Sequence, residues 1–336
     1  MTQRNGWLWC AVAALLFGAA TPTTKLLIDD VHPVTLAGLL YFGAALAVAP
    51  FARRDQRSKV AARQRVRLSV AVVLGGGVAP VLLMLALART PAGTLSMLLN
   101  LELVATAVIA RVLLREHIGA RASAGITMVV VGGVVLAGAH GASLALGALL
   151  VAGACVCWGA DNAITASLDS YGPAQITLVK GMVAGSVNAL IGISIDGMPP
   201  WRLVVVALLI GALGYGVSIT MWITGARLVG AARGQVIFAL APFVGALLAW
   251  PLNGEGISGS LLVAFAISLT GVLIVGTAGH GHAHVHDAFE HAHPIDPRDP
   301  HHSPSAIEVV GGEAHRHLAL AHQHDHLPDI HHRHGH

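Results

Sequence analysis

Glu102 is the residue whose setting most invites chemistry. It stands near the middle of the apolar run Pro91–Leu114. A charged side chain at the centre of a membrane helix costs roughly 2.5–3.5 kcal/mol on insertion scales, so carboxylates kept there tend to face a water-filled cavity or a partner. A buried carboxyl can also exchange a proton, which makes coupling to a proton gradient physically possible. Thr106, four residues on, shares its helix face, whereas Asn100 is near in sequence but points elsewhere. The plainer alternative is a structural carboxyl bound to another helix.

Asp161 and Lys180 form a second constellation, with Thr165 one turn from Asp161 and Asn162 beside it. Adjacent antiparallel helices would bring the two charges together, and a buried opposite charge offsets part of each desolvation cost. A structural ion pair is the favoured reading, with a substrate role as the alternative. Trp158, Tyr215, Trp222 and Gln235 are further cavity candidates, although aromatic residues near span ends also anchor helices at the interface. Lys25 and Arg233 lie near span ends, where a long side chain can reach outward to the headgroups.

A third group is set apart in sequence. Residues 280–336 hold 17 of the 20 histidines, among them His280, His282, His284 and His286, and at the end His331, His332, His334 and His336. Neutral imidazole binds zinc, nickel, cobalt and copper. The spacing lacks the companion ligands of a closed site, so the expectation is weak, multiple-site binding, with no cofactor required for function. Prolines and aspartates interrupt this tail, which has too little apolar content for a core and is expected to be mostly disordered, with short ordered pieces near 306–310 and 315–321.

The elements that must position these groups follow from composition. The chain of 336 residues is 55% hydrophobic and 11% charged, against about 25% charged in soluble domains. So few charges suit a surface facing lipid. Ten spans are expected: Trp7–Ile28, Val34–Pro50, Leu68–Ala88, Pro91–Leu114, Ala122–Ala139, Leu144–Ala166, Gln175–Ile195, Leu203–Gly225, Ala232–Leu252 and Ser258–Ala278. Each is near the roughly 20 residues that cross the hydrocarbon as a helix, and helices are required because lipid offers the backbone no other partner. An uncleaved first span is favoured over a signal peptide, because the apolar stretch runs past Gly18-Ala19-Ala20 to Ile28. The three cysteines, Cys10, Cys155 and Cys157, make no disulfide framework.

Basic residues set the orientation. Arg53, Arg54, Arg57, Lys59, Arg63, Arg65 and Arg67 separate the second and third spans, and Arg4, Arg111, Arg115, Arg121 and Arg227 fall on the same side. The excess marks the cytoplasmic face of an inner membrane and puts both termini there. The net charge of +3 is therefore read as lipid contact and topology, not as a nucleic-acid surface.

The two halves repeat. Phe17-Gly18 corresponds to Trp158-Gly159, and His32-Pro33 to Gly172-Pro173. Leu99 to Leu103 and Glu116 correspond to Phe238 to Pro242 and Glu255 at one constant offset, which Gly132 and Gly271 share. Five spans per repeat is odd, so the halves enter the membrane in opposite directions. The fold class is thus an all-α integral membrane protein of ten transmembrane helices in two inverted five-helix repeats, 1–140 and 141–279, followed by the tail.

These features together resemble the EamA-type permeases of the drug/metabolite transporter superfamily. The resemblance covers about residues 7–278 and rests on Trp158-Gly159, on Pro33 and Pro173, on Asn100–Glu102 with Pro242, and on Glu116 with Glu255. There are departures. Leu103 follows Glu102, Ala241 precedes Pro242, Arg115 stands where a glycine is usual, and Tyr41 lies near where the first repeat often has a basic residue, whose counterpart in the second repeat is Lys180. The resemblance implies secondary transport of small organic metabolites, such as amino acids, amines or drug-like compounds, often as export, through a cavity between the repeats.

Other function classes weigh less. A divalent metal transporter is motivated by the tail, but the spans lack clustered ligands. A metal-regulated permease or membrane sensor would use the tail as its receptor. No enzyme is expected, since no nucleophile or metal triad stands out, and no phosphate-binding glycine motif supports ATP-driven transport. The expected partners are the lipid bilayer, a small-molecule substrate, divalent ions at the tail and a second copy in a homodimer.

Overall fold

The computed structural model describes residues 3–52, 62–113, 119–138, 142–165, 168, 171–229, 234, 237–276, 280–286, 289–292, 307–311, 314–317 and 320–326. The chain divides into two units, Met1–Ala278 and Gly279–His336. In the first unit every described regular element is a helix. These are α1 (Gln3–Lys25), α2 (Pro33–Ala52), α3 (Ala62–Leu87), α4 (Ala92–Leu98), α5 (Leu101–Leu113), α6 (Ala120–Gly138), α7 (Ala142–Thr165), α8 (Pro173–Asp196), α9 (201–229), α10 (Ala241–Asn253) and α11 (Gly259–Gly276).

Among the described residues, nine helical stretches are long and apolar enough to cross a membrane, and α10 is a shorter apolar helix. The expected spans four and nine are not straight. The fourth breaks between α4 and α5 at Leu99–Asn100, and the ninth has a turn at Ala239–Leu240 just before α10. At both places the backbone tightens to three-residue bonds: Asn100 N–H to Met97 O, Leu103 N–H to Asn100 O, Leu240 N–H to Ile237 O and Phe243 N–H to Leu240 O, all 3.1–3.2 Å. Pro242 has no N–H to continue the ladder. In the first repeat the Asn100 side-chain amide adds a second bond to Met97 O, at 3.0 Å, beside that of its own backbone N–H.

The prolines read in the sequence sit where a fixed φ and a missing N–H cost nothing. Pro33 opens α2 and Pro173 opens α8, where Gln175 accepts the Gly172 N–H at 3.2 Å. Among the described residues three π-helical turns interrupt the longer helices, Val72–Val78 in α3, Gly181–Gly185 in α8 and Ala212–Val217 in α9.

Glycine decides how the helices meet. In lipid, helices associate through close packing, which small residues permit. Gly38, Gly185 and Gly192 bring the backbones of α2 and α8 together, and Gly125, Gly132 and Gly271 do so for α6 and α11. Those are equivalent helices of the two repeats. The remaining pairings exchange across the repeats: α1 lies on α10, with Gly18 against Ala241 and Val244, and α7 lies on α5, with Gly159 against Ala105 and Thr106. This reciprocity is what an inverted duplication requires.

The second unit holds the histidine-rich tail. Its described pieces are strands β1 (His280–His286), β2 (Phe289–Ala292), β3 (Ile307–Gly311), β4 (Ala314–His317) and β5 (Leu320–His326). β1 pairs antiparallel with β5, and β4 lies between β2 and β3. Composition measures the lack of a core, but backbone donors can still find partners in a strand far along the chain.

Candidate functional site

α7 carries much of the polar chemistry, and its neighbours α5, α3 and α8 receive it. Asn162 on α7 donates through Nδ2 to Glu102 Oε1 on α5 at 2.9 Å. Asn162 is exposed and Glu102 half-buried, in helices whose apolar faces meet lipid. The amide gives the carboxyl a partner inside the span, which the high cost of a lone charge in hydrocarbon calls for. The pair joins the two repeats next to the break that separates α4 from α5.

Asp161, the preceding residue, turns to the other side of α7. Lys180 Nζ on α8 donates to Asp161 Oδ1 at 2.6 Å and Oδ2 at 2.7 Å. Thr165 Oγ1 donates to Asp161 Oδ1 at 3.1 Å and lies 3.3 Å from Lys180 Nζ. Both charged side chains are largely buried. The Asp161 carboxylate fits against Gly75, where any Cβ would overlap it, and Lys180 lies along Gly76.

Those glycines belong to the π turn of α3. Ala79 N–H bonds Leu74 O, and the next residue is Pro80, which has no N–H to give to Gly75 O. The carbonyl is taken instead by side chains: Tyr41 Oη donates to Gly75 O at 2.7 Å, and Trp158 Nε1 lies 3.1 Å from Gly75 O and 3.2 Å from Tyr41 Oη. π turns inside α-helices often mark functional positions. From Tyr41 the aromatic contacts continue through Tyr215 to Phe17, Phe238 and Trp222, with ring centroids 5.1–5.7 Å apart.

The opposite end of the bundle is tied shut. Lys25 Nζ donates to Leu87 O at 2.6 Å and Thr90 O at 3.3 Å. It thus closes the carbonyl end of α3 and does not reach outward to headgroups as its position near a span end suggests. Asn253 Nδ2 donates to Pro22 O at 3.1 Å. Glu255 accepts the Ala92 and Gly93 N–H groups at the start of α4. Between these ties and the breaks lies a crevice of only about 10 Å³, lined by Phe17, Gly18, Thr21, Ser96, Leu99, Ala241 and Pro242. That is below the usual volume of a small-molecule pocket, about 300 Å³ upward, so a solute entering here needs the helices to part.

The structure therefore brings Glu102 together with Asn162, and Asp161 with Lys180 and Thr165. Glu102, Asp161 and Asn162 do not converge around one opening, and among the described residues no three His, Cys, Asp or Glu side chains could hold a metal ion. Thr106 lies at the close crossing of α5 and α7, and Asn100 is spent within its own span. Trp158 and Tyr215 are buried. Gln235 and Arg233, and His331, His332, His334 and His336, lie outside the described residues. Sequence reasoning missed the hub formed by Gly75 O, although a glycine five residues before a proline in an apolar run was a readable signal.

Comparison with known proteins bears on this geometry. The profile of the EamA-like transporter family matches residues 4–138 and 145–277. An uncharacterized transporter of Methanothermobacter thermautotrophicus is 23% identical over 298 residues, spanning 82% of this chain and 87% of its own. The permease-like protein YdzE of Bacillus subtilis is 35% identical over 66 residues, 20% of this chain and 85% of its own. A crystal structure with 20% sequence identity matches with a TM-score of 0.60 over 81% of this chain and 98% of its own, a likeness of fold alone.

Proposed function

Because the chain belongs to the EamA-like transporter family, we propose that this multi-pass membrane protein is a secondary transporter of small organic metabolites, working as an exporter across the cell inner membrane. Amino acids, amines and drug-like compounds with a protonated amino group are the substrate class. The observation that carries this reading is the Glu102–Asn162 pair, in which a mid-span carboxylate is met by a neutral amide at 2.9 Å. An amide leaves the negative charge available to a cationic group, and the nearby aromatic rings offer faces for cation–π contact.

Two inverted halves with discontinuous helices suit alternating access, in which one arrangement opens inward and its near mirror opens outward. The ties at Lys25, Asn253 and Glu255 support an arrangement closed at that end. The arginine-rich loop after α2 and both termini are assigned to the cytoplasm on the distribution of basic residues. Asp161–Lys180 is read as a structural tie between α7 and α8, and no cofactor takes part.

The test is flux in sealed proteoliposomes loaded with amino acids, polyamines and aromatic amines, for the wild type and E102Q. Efflux that E102Q lowers about tenfold or more, the loss expected when a buried charge partner is removed, supports the reading. Efflux of the same solute by E102Q at the wild-type rate would exclude Glu102 from the transport path.

A further inference from the structure

The histidine-rich strands are the part of the molecule that transport leaves unused. The register of β1 with β5 sets His280 opposite His326, His282 opposite His324 and His284 opposite His322. Residues two apart in a strand share a face. The even-numbered positions of both strands therefore share one face, with three histidine pairs in register and His286 opposite Leu320. Only the β1 half of that face was picked out from the sequence. Directly opposite residues in an antiparallel pair have Cβ atoms roughly 4.5–5.5 Å apart.

We propose that β1 and β5 together form a binding site for divalent transition-metal ions of the zinc, nickel, cobalt and copper class, with ligands drawn from both strands. The chemistry of the face sets the selectivity. Asp325 is opposite Gly281, on the other parity of the ribbon, so the histidine face carries no carboxylate. Neutral nitrogen ligands favour zinc, nickel, cobalt and copper, whereas magnesium and calcium require oxygen donors. No group of three ligands among the described residues is already gathered on one point. The ion completes its own set, and the pairing of the strands supplies the chelate advantage.

Equilibrium dialysis of the full-length protein in detergent at pH 7.5, against zinc chloride and separately nickel chloride, tests this. The triple variants H280A/H282A/H284A and H322A/H324A/H326A should each weaken the tightest site about a hundredfold, the low end of what joining two ligand groups gains. Combining them should cost little more, because either strand alone has already lost the chelate. The quadruple variant H331A/H332A/H334A/H336A removes more histidines than either triple, yet should leave that site within about twofold. A loss that follows the number of histidines removed, wherever they lie, would overturn the proposal in favour of composition alone. So would wild-type protein that takes up no more zinc than either triple variant, or magnesium chloride that competes at equal concentration.

Discussion

The carboxylate of Glu255 accepts the backbone N–H of Gly93 at 2.8 Å, so the residue after the last turn of α10 holds the first turn of α4. Gly254 makes this reach possible. It ends α10 in the left-handed region, with φ 65°, where a side chain is disfavoured and glycine is not. The glycine–glutamate ending of the second repeat is thus a stop and a cap, and it ties one repeat to the other at the end remote from the arginine-rich loop.

Replacing Glu255 by Ala leaves two helix-start N–H groups without their acceptor. Detergent-solubilised E255A should unfold at a lower temperature than the wild type, with a loss of about 1–3 kcal/mol, and E255Q should lie between them because its amide keeps one acceptor oxygen. Identical melting curves for all three would show that water replaces the cap at no cost.

Asn162→Ala removes the amide that orients Glu102. On the proposed transport reading it should reduce flux less than Glu102→Gln, and the double variant should be no slower than Glu102→Gln alone, since the amide acts through the carboxylate. Additive losses in the double variant would separate the two residues. Melting temperatures measured alongside should move little, because the pair is exposed on one side.

Breaking the buried tie between α7 and α8 should be costly in one direction only. Asp161→Asn leaves Lys180 without a compensating charge and should destabilise by about 3–5 kcal/mol, whereas pairing Asp161→Leu with Lys180→Met should restore most of that loss. Thermal unfolding of the single and paired variants decides it. A paired variant that folds normally yet transports nothing would give the pair a role in transport beyond structure.

Gly75 and Gly77 should answer the same substitution differently. A Cβ at Gly75 would overlap the Asp161 carboxylate, while at Gly77 the nearest atom is Val72 O at 3.7 Å, an ordinary contact. Gly75→Ala should cost about 1–3 kcal/mol through displacement of Asp161. Gly77→Ala should be neutral or stabilising by up to about 1 kcal/mol, from the better helix propensity of alanine. Melting temperatures of the two variants side by side provide the check.

The sequence by itself determined that the chain crosses the bilayer repeatedly, that it is an inverted duplication, and that Glu102, Asp161 and Lys180 were the charges to explain. These follow from local quantities: the free energy of moving an apolar run from water to lipid, the high cost of an ion there, and a repeat offset that survives as identities such as Pro33 with Pro173. Even the Asp161–Lys180 pair was legible as opposite charges flanking one short connection, although α7 and α8 do not lie along each other and the pair meets over Gly75 and Gly76 of α3. Tertiary structure alone decided that α1 lies on α10 and α7 on α5, that Tyr41 and Trp158 converge on Gly75 O, that Asn162 rather than Asp161 meets Glu102, and that both crossing spans break in the middle. In lipid no helix gains hydrophobic energy by choosing one neighbour over another. The choice rests on where glycines of distant segments let backbones touch and on which carbonyls a break leaves unpaired, and both depend on contacts between residues far apart in the chain.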